Sequence, residues 1–238
     1  MPGGDLRTTI ATPAGKQRYV RRLFATIADR YDFITRFLSF GQDRRWKRQL
    51  VSLAAVRPSD RVLDLACGTG DILFEALRFR PRRAVGLDLT LRMVQIAHRR
   101  DARAVVCVGD MLALPFNSGD VDVVTTGYGL RNVPHLDVAI REIHRVLAPG
   151  GRILSLDFNR PDNRVVRAVY LAYLTVVGSF LGLALHRDPD TYRYIPESIR
   201  NYPGANGVAR MLDEQGFVGV RIVPVLFGLM AIHVGTKR

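Results

Sequence analysis

The stretch VLDLACGTGD spans residues 62–71 and joins two patterns of different period. The apolar run at residues 62–66 predicts a buried strand, and residues 71–79 have the spacing of a helix. Between them, Gly68 and Gly70 let the backbone turn tightly and approach a ligand closely. A strand, a glycine loop and a helix in this order predict the first unit of an α/β sheet, with a ligand site beyond the end of the strand.

The same alternation of short apolar runs and helical stretches continues downstream. We expect helices over residues 91–100 and 136–147, and further strands over residues 84–87, 104–108, 121–125 and 153–158. Repeated strand–helix units form parallel sheets with helices on both faces, because right-handed crossovers connect the strands. The middle of the chain is therefore predicted to be a doubly wound, Rossmann-like α/β domain.

Acidic residues around the glycine loop favour a cationic ligand over a pyrophosphate. Asp64 and Asp71 flank the loop, and the third position of a dinucleotide-binding glycine pattern is Leu73. Asp88 ends the second strand, 18 residues after Gly70, where a carboxylate can accept hydrogen bonds from both hydroxyls of a ribose. These features favour S-adenosylmethionine (SAM), which carries a sulfonium and an ammonium and no phosphate, over a dinucleotide.

Another acidic residue follows the third strand. Asp110 can accept a hydrogen bond from the amino group of adenine, and Met111 can pack on the adenine ring. Taken alone, each of these residues is equally consistent with an ordinary turn or cap. Because the carboxyl ends of parallel strands share one edge of the sheet, we expect Thr69, Asp88 and Asp110 to converge there. Their convergence predicts a nucleoside site.

The segments on either side of this core have helical patterns. Residues 17–56 repeat apolar residues at spacings of three and four, whereas residues 1–16 are rich in Gly, Thr and Pro and are predicted to be loose. Residues 168–185 form an 18-residue run without a charge. Further candidates are helices at residues 192–194 and 205–215 and a closing antiparallel pair at residues 218–224 and 229–234.

Composition bounds the class of protein. The 238 residues suit one large domain whose core needs no disulfides. The formal net charge is +13, and only Lys16, Lys47 and Lys237 are lysines; the arginines either form solvated faces or attract nucleic acid or lipid headgroups. Cys67 and Cys107 lack a metal-type spacing, so no metal is expected. Two thiols and no apolar leader predict a cytoplasmic location.

Four separated motifs carry a family resemblance. They are RYDFITRFLSFGQDRRWKR (30–48), GYGLRNVPHLDVAIREIHRVLAPGG (127–151), DTYRYIPESIRNYPG (190–204) and GLMAIHVGTKR (228–238). With these motifs in this order around the glycine loop, the chain resembles the class I SAM-dependent methyltransferases. Among them it resembles the UbiE/MenG group of quinone-biosynthesis C-methyltransferases, over residues 24–237.

The resemblance implies a fold. It is a seven-stranded sheet with a closing antiparallel hairpin, an N-terminal helical lid and a helical insertion before the hairpin. The single methyltransferase domain, residues 17–238, would then consist of N-terminal helices (17–56), a SAM-binding core (57–160), substrate-covering helices (161–215) and the terminal hairpin (216–238).

The resemblance also implies a reaction, the transfer of a methyl group from SAM to a ring carbon of demethylmenaquinol in the last step of menaquinone biosynthesis. A methoxy-polyprenyl-benzoquinol of ubiquinone biosynthesis is the alternative substrate. An RNA or another small molecule is a further alternative; the absence of an added RNA-binding module argues against nucleic acid. A non-catalytic SAM-binding scaffold is the rival from another class, although the glycine loop is intact. The oligomeric state stays open, and a homodimer is one candidate.

The resemblance assigns roles to individual residues. The expected cofactor residues are Thr69, Asp88, Asp110 and Met111, together with Asp64, Gly68 and Gly70 of the glycine loop. The candidates for catalysis are Arg131, which could stabilise a quinolate, His135 close to it, and Asp157 at the end of the fifth strand. Gly127 stands where ubiquinone-type relatives have Ser, which favours menaquinone. Tyr192 and Tyr194 either line the ring pocket or pack as a helix face.

The uncharged segment 168–185 is at the lower length limit for a membrane span. We do not expect a span, because the strands that follow must join the same sheet as those that precede it. The segment is expected to cover the cleft and to accept a polyprenyl tail, or else to be a buried core helix. With the arginine excess, the cover could rest peripherally on the inner face of the membrane.

Overall fold

The computed structural model describes residues 6–102, 104–188 and 191–238. The strands within them are β1 (Arg61–Leu65), β2 (Arg83–Asp88), β3 (Val105–Val108), β4 (Val121–Gly127), β5 (Leu147–Phe158), β6 (Phe217–Val225) and β7 (Met230–Lys237). These seven strands of the described residues form one sheet in the order β3-β2-β1-β4-β5-β7-β6.

Strands β1 to β5 pair in parallel, and β7 lies antiparallel between β5 and β6. The chain moves outward from β1 in one direction through β2 and β3, and in the other through β4 and β5. This reversal opens a crevice beyond the carboxyl ends of β1 and β4, which is where open α/β sheets bind ligands. The predicted doubly wound sheet with its closing antiparallel hairpin is thereby confirmed.

The helices are α1 (Leu6–Ile10), α2 (Pro13–Ile27), α3 (Tyr31–Leu38), α4 (Asp43–Ala54), α5 (Asp71–Leu77), α6 (Leu91–Arg100), α7 (Leu136–Val146), α8 (Arg164–His186), α9 (Tyr194–Arg200) and α10 (Gly204–Glu214). We call α1 to α3 the lid, α4 to α7 together with α10 the core set, and α8 and α9 the covering set. Short 3-10 turns occur at Ala28–Arg30, Leu130–Asn132 and Leu226–Gly228.

The side chains of successive residues in the central strands pack on opposite faces of the sheet. Val62 of β1 packs in a buried cluster with Leu50 of α4 and Leu73 of α5. The next residue, Leu63, packs with Ile140 of α7 on the other face. Because side chains alternate along a strand, β1 is covered on both faces, as expected for the buried strand that the sequence predicts there.

The lid and covering helices build a smaller core above the carboxyl edge of the sheet. Leu23 and Ile27 of α2 and Ile34 of α3 pack with Leu181 of α8 and with Tyr192. Helix α8 begins at a side-chain cap, since Asn163 Oδ1 accepts from the N–H groups of the next helical turn at 2.9 and 3.1 Å. The lid therefore rests on α8 and closes over the crevice.

Among the described residues, α8 is the one helix whose length and apolar composition would suffice to cross a membrane. A third of its apolar window is buried inside the fold. Strands β6 and β7, which follow α8, lie in the same sheet as the strands that precede it. The structure thus uses α8 as a covering helix.

The helical region starts earlier than the sequence predicted. Residues 1–5 lie outside the described part, but α1 and the first turn of α2 occupy much of the predicted loose segment. Thr12 is the N-cap of α2, its Oγ1 accepts from Gly15 N at 3.2 Å, and Pro13 is the first helical residue. The Thr-Pro pair that suggested a loop is in fact a helix start.

Two further boundaries also differ from expectation. Tyr192 precedes α9, which begins at Tyr194. Strand β5 begins at Leu147, before the Pro149-Gly150-Gly151 turn signal, and the pairing with β4 shifts register there. The division of the chain into functional segments stays a prediction.

Candidate active site

The glycine loop between β1 and α5 is held in shape by Asp88 at the end of β2. The N–H of Gly68 donates to Asp88 Oδ2 over 2.9 Å, and the N–H of Thr90 donates to Oδ1 over 2.8 Å. Gly68 and Gly70 have φ values of +54° and +94°, in the left-handed region that glycine adopts without strain. Each Asp88 oxygen keeps a lone pair, so the carboxylate that shapes the loop can also accept from a ligand hydroxyl.

A narrow cleft opens beyond the carboxyl ends of β1 to β4. Four of the predicted cofactor residues line it, namely Gly68, Asp88, Asp110 and Met111. The atom nearest to a Cβ built at Gly68 is 3.9 Å away, on Tyr31. A side chain at position 68 would therefore fill space in the cleft, which explains why the loop presents bare backbone there.

Asp64 is buried under the glycine loop rather than exposed in the cleft. Its Oδ1 accepts from the Thr125 hydroxyl at 2.8 Å. Within the described residues, its Oδ2 has no hydrogen-bond partner. Burial raises the pKa of this carboxyl to about 7. A buried carboxyl with an unpartnered oxygen fits a ligand that brings its own positive charge.

Thr69, Gly70 and Asp71 do not line the cleft. The Thr69 hydroxyl donates to Asp32 Oδ1 of α3 at 2.6 Å, which ties the lid to the glycine loop. Asp71 forms ion pairs with Lys47 at 2.9 Å and with Arg100 at 2.7 Å. The sequence argument that Asp71 attracts a cationic ligand therefore does not hold, because two cations of the protein already compensate it.

Helix α2 lies across the mouth of the cleft. Gln17 Nε2 donates to Asp110 Oδ2 at 2.5 Å. Lys16 Nζ donates to the carbonyl oxygens of Arg131 at 3.0 Å and Val133 at 2.7 Å. Burial, with a smaller contribution from the nearby Arg131 charge, lowers the pKa of Lys16 to about 8. Any ligand amino group that binds Asp110 has to displace or share the Gln17 contact.

A second, larger cavity of about 600 Å³ lies between the lid, α8 and the end of β5. Aliphatic and aromatic side chains form most of its wall. The aromatic members are Phe24, Tyr31, Phe40, Trp46, Tyr128, Phe158, Tyr170, Tyr173, Tyr192 and Tyr194. Of the described residues that line it, Arg131 alone is charged. The cavity suits an apolar molecule with one polar end.

The cleft and the apolar cavity meet at three aromatic residues. Phe24 of α2, Tyr31 of α3 and Tyr128 after β4 line both spaces. Burial raises the pKa of Tyr31 to about 12, so its phenol stays protonated at neutral pH. A group bound in the cleft and a ring bound in the cavity would approach each other at this junction.

Arg131 and Asp157 form a buried ion pair at the inner end of the cavity. Arg131 Nε lies 3.1 Å from Asp157 Oδ1, and the Arg131 backbone N–H donates to Oδ2 over 3.1 Å. Arg131 Nη1 donates to Ser198 Oγ at 2.8 Å, and its Cζ lies 4.8 Å from the Phe158 ring centroid. Burial raises the pKa of Asp157, and the Arg131 charge opposes that rise. The guanidinium is fixed in one orientation.

His135 is not part of this arrangement. It is exposed at the N-cap position of α7 and lines neither cavity. Of the three candidates for catalysis, the structure therefore brings only Arg131 and Asp157 together. His135 follows Arg131 closely in sequence, but Arg131 belongs to the buried 3-10 turn at Leu130–Asn132 and His135 to the exposed start of α7.

A buried polar network holds Tyr128 at the junction. The Tyr128 hydroxyl donates to Asp43 Oδ1 at 2.6 Å, and Lys47 Nζ lies 2.7 Å from Asp43 Oδ2. Burial alone would lower the pKa of Lys47, but the carboxylates of Asp43 and Asp71 outweigh it and raise that pKa. The network joins α4, the glycine loop helix α5 and the junction.

Sequence reasoning missed Lys16, Gln17, Tyr31 and the Asp43–Lys47 pair as site residues. The motif at residues 30–48 contains most of them, so their presence in a group-specific stretch was the available signal. Spacing alone could not reveal that this stretch folds back over the sheet. Across the described residues, no group of three or more His, Cys, Asp or Glu side chains is arranged to hold a metal ion.

The fold belongs to the class I SAM-dependent methyltransferases. A SAM-dependent methyltransferase structure from Thermotoga maritima superposes with a TM-score of 0.68 and 18% identity, over 92% of this chain and 100% of that chain. A Haemonchus contortus phosphoethanolamine N-methyltransferase, solved with S-adenosylhomocysteine, superposes with a TM-score of 0.61 and 15% identity over 92% of this chain and 60% of that chain. At these identities the likeness concerns the fold.

Sequence comparison narrows the class to a family. The model of the ubiE/COQ5 methyltransferase family matches residues 12–237. A demethylmenaquinone methyltransferase from Thermus thermophilus is 41% identical over 90% of this chain and 100% of its own length, and one from Roseiflexus castenholzii is 38% identical over 95% and 96%. A ubiquinone/menaquinone biosynthesis C-methyltransferase from Rubrivivax gelatinosus is 38% identical over 93% and 88%. The chain belongs to the ubiE/COQ5 methyltransferase family.

Replacing Lys47 tests the buried network. We expect Lys47→Met to lower the free energy of unfolding by about 3 kcal/mol, because the Asp43 carboxylate then stays buried without its cation. Urea unfolding can be followed through the fluorescence of Trp46, the single tryptophan of the chain.

The matched control is Arg48→Met, an exposed position on the same helix. It should change the free energy of unfolding by less than about 0.5 kcal/mol. Equal effects of the two substitutions would contradict a structural role for the Asp43–Lys47 pair.

Proposed function

We propose that the protein transfers a methyl group from SAM to a ring carbon of demethylmenaquinol, a polyprenylated naphthoquinol. The observation that carries this proposal is the meeting of a narrow cleft lined by Asp88 and Asp110 with a large aromatic cavity at Phe24, Tyr31 and Tyr128. The names of the Thermus and Roseiflexus relatives support the same substrate.

The residues of the cleft fit SAM by charge and by hydrogen-bonding capacity. When bound, SAM supplies an electrophilic methyl group on a sulfonium. Asp88, Asp110 and Met111 line the cleft. Asp88 would accept from the ribose hydroxyls and Asp110 from the adenine amino group, and Met111 would pack on the adenine ring. The unpartnered Asp64 Oδ2 adds negative charge behind the glycine loop, toward the cationic amino-acid end.

The apolar cavity fits the substrate. Its volume of about 600 Å³ and its aliphatic and aromatic wall suit a naphthoquinol ring with the first units of a prenyl chain. Tyr192 and Tyr194 belong to this wall, which is one of the two alternatives that the sequence left open for them. The ring would lie toward Arg131, since the quinol oxygens need a polar partner when they leave water.

Arg131 would stabilise the quinolate that forms as the substrate becomes nucleophilic. Its guanidinium faces the cavity, and Asp157 and Ser198 hold it in place. Loss of the quinol proton makes the ring carbon electron-rich; the new carbon–methyl bond then forms as the methyl–sulfur bond breaks, and the ring hydrogen leaves as a proton. The protein contributes in-line positioning at the Tyr31–Tyr128 junction and a fixed positive charge.

A methoxy-polyprenyl-benzoquinol is the alternative substrate, and the name of the Rubrivivax relative covers both pathways. Gly127 lines the cleft, and a Cβ at this position would lie 2.6 Å from Ile72 Cδ1. A Ser here, as in ubiquinone-type relatives, would require Ile72 to move. The Gly at this position, as in the menaquinone-type pattern, supports the naphthoquinol. Because either substrate carries a membrane-soluble tail, the proposal includes peripheral contact with the inner face of the membrane.

The substrate assay is the direct test. We expect purified protein and methyl-labelled SAM to label a prenylated demethyl-naphthoquinol, with little or no label in a demethyl-benzoquinol and none in bulk RNA. Extraction and chromatography of the labelled product measure this. Label in both quinols would indicate an enzyme of both pathways, and label in RNA alone would overturn the proposal.

Arg131 can be tested separately from folding. We expect Arg131→Met to lower kcat by about 10²-fold, because a fixed positive charge beside the developing quinolate is lost. Arg131→Lys should recover part of the rate. The double variant Arg131→Met/Asp157→Asn also removes the buried carboxylate that the single variant leaves unpaired. It should therefore fold stably, while its kcat should remain as low as that of Arg131→Met. Recovery of wild-type kcat in the double variant would contradict the role of Arg131.

The raised pKa of Asp64 predicts a pH dependence of SAM binding. A cation favours the carboxylate form, so affinity should fall as the pH drops below about 7, by up to about tenfold per unit. Calorimetry in buffers of different ionisation enthalpy should detect proton release on binding near pH 6.5. Asp64→Asn should abolish that release, whereas the exposed control Asp137→Asn should keep it. An unchanged proton release in Asp64→Asn would remove Asp64 from the explanation.

A further inference from the structure

One face of α8 is apolar and exposed along its whole length. Val165, Val169, Val176, Phe180 and Leu183 follow one another at spacings of three, four and seven, so they form a single stripe. Between 58% and 72% of each of these side chains is accessible to solvent. At 1.5 Å per residue, the stripe from Val165 to Leu183 extends over about 27 Å of this helix.

Two other elements continue the stripe around the mouth of the apolar cavity. Phe40, which follows α3, is 70% exposed and stacks on Tyr173 of α8 with a centroid distance of 6.0 Å. Phe227, at the turn between β6 and β7, is fully exposed beside Leu226, which lines the cavity. The mouth of the cavity is thus framed by apolar side chains from three separate parts of the chain.

Within α8 the side-chain charges have one sign, although Asp162 and Asp188 lie just outside its two ends. Helix α8 contains no Asp or Glu, begins with the exposed Arg164 and ends just before the exposed Arg187. Arg36 is exposed on α3, between the exposed Phe33 and Phe37. An apolar stripe with arginines at its ends matches the acyl chains and anionic headgroups of a lipid surface.

We propose that this surface, formed by the α8 stripe with Phe40 and Phe227, docks on a bilayer that contains anionic phospholipid. Helix α8 lies in the plane of the interface, and the mouth of the cavity opens into the acyl region. This docking proposal rests on the proposed function in one respect only, the identity of the substrate that enters the mouth of the cavity. Docking itself follows from exposure and charge.

The inner side of α8 explains why the helix lies on the membrane rather than across it. Tyr170, Leu174, Gly178 and Leu181 are buried against the lid and covering helices. A Cβ at Gly178 would lie 3.2 Å from Tyr192 Cβ, so the two segments are in close contact. Only the outer stripe is free to enter lipid, to the shallow depth of an interfacial helix.

Vesicle binding tests the proposal. We expect the protein to float with vesicles of phosphatidylglycerol and phosphatidylcholine, more weakly with pure phosphatidylcholine, and less as salt rises. The double variant Phe180→Ser/Phe227→Ser, which changes neither cavity wall, should bind the anionic vesicles at least about tenfold more weakly. The control Phe79→Ser/Val105→Ser removes exposed apolar side chains at the opposite edge of the sheet and should bind as the wild type does.

Activity separates docking from the proposed function. With a water-soluble quinol that lacks the polyprenyl tail, the Phe180/Phe227 variant should keep the wild-type kcat and KM. With a long-tailed quinol in vesicles, its rate should fall in parallel with vesicle binding. If the wild-type protein methylates quinol but does not bind vesicles, the docking proposal is overturned and the proposed function is not. If the wild-type protein is a dimer and the Phe180/Phe227 variant is a monomer, the surface is instead the contact with a second copy of the chain.

Discussion

The parallel pairing of β1 to β5 is the constraint on which the site depends. Parallel strands end at the same edge, so the glycine loop, Asp88, Asp110 and Tyr128 are delivered to one crevice although 60 residues separate the first from the last. The hydrogen bonds from Gly68 and Thr90 to Asp88 then fix the loop. The lid and the covering helices, which complete the site, pack above this edge of the sheet.

The sequence could predict those residues of the cleft that lie at the carboxyl ends of strands. The places of Asp88 and Asp110 at the sheet edge follow from the strands, because Asp88 ends β2 and Asp110 lies two residues after β3; their roles toward a cofactor stay predictions. Thr69, which the sequence placed with them, does not line the cleft, and its hydroxyl donates to Asp32 of the lid. That contact joins residues 37 positions apart, and no local periodicity reports which partner a buried hydroxyl will choose.

The apolar cavity could be predicted only in outline. An uncharged run at residues 168–185 indicated a cover, but the cavity wall also needs Trp46, Tyr128 and Phe158 from three other elements. Their convergence depends on how the lid packs on α8.

The contacts of the lysines could not be predicted from the sequence either. Lys16 and Lys47 make buried or partly buried contacts within the fold, whereas the charge composition suggested solvated faces or the attraction of nucleic acid or lipid headgroups.

The bonds that close the lid have a consequence for the order in which the chain can assemble. Lys16 is bonded to carbonyls 115 and 117 positions downstream, and Arg30 donates to the Leu185 carbonyl, 155 positions away. The lid therefore cannot complete its contacts until α8 has left the ribosome. The parallel strands can pair before that point, so the crevice forms open and its cover is fitted afterwards.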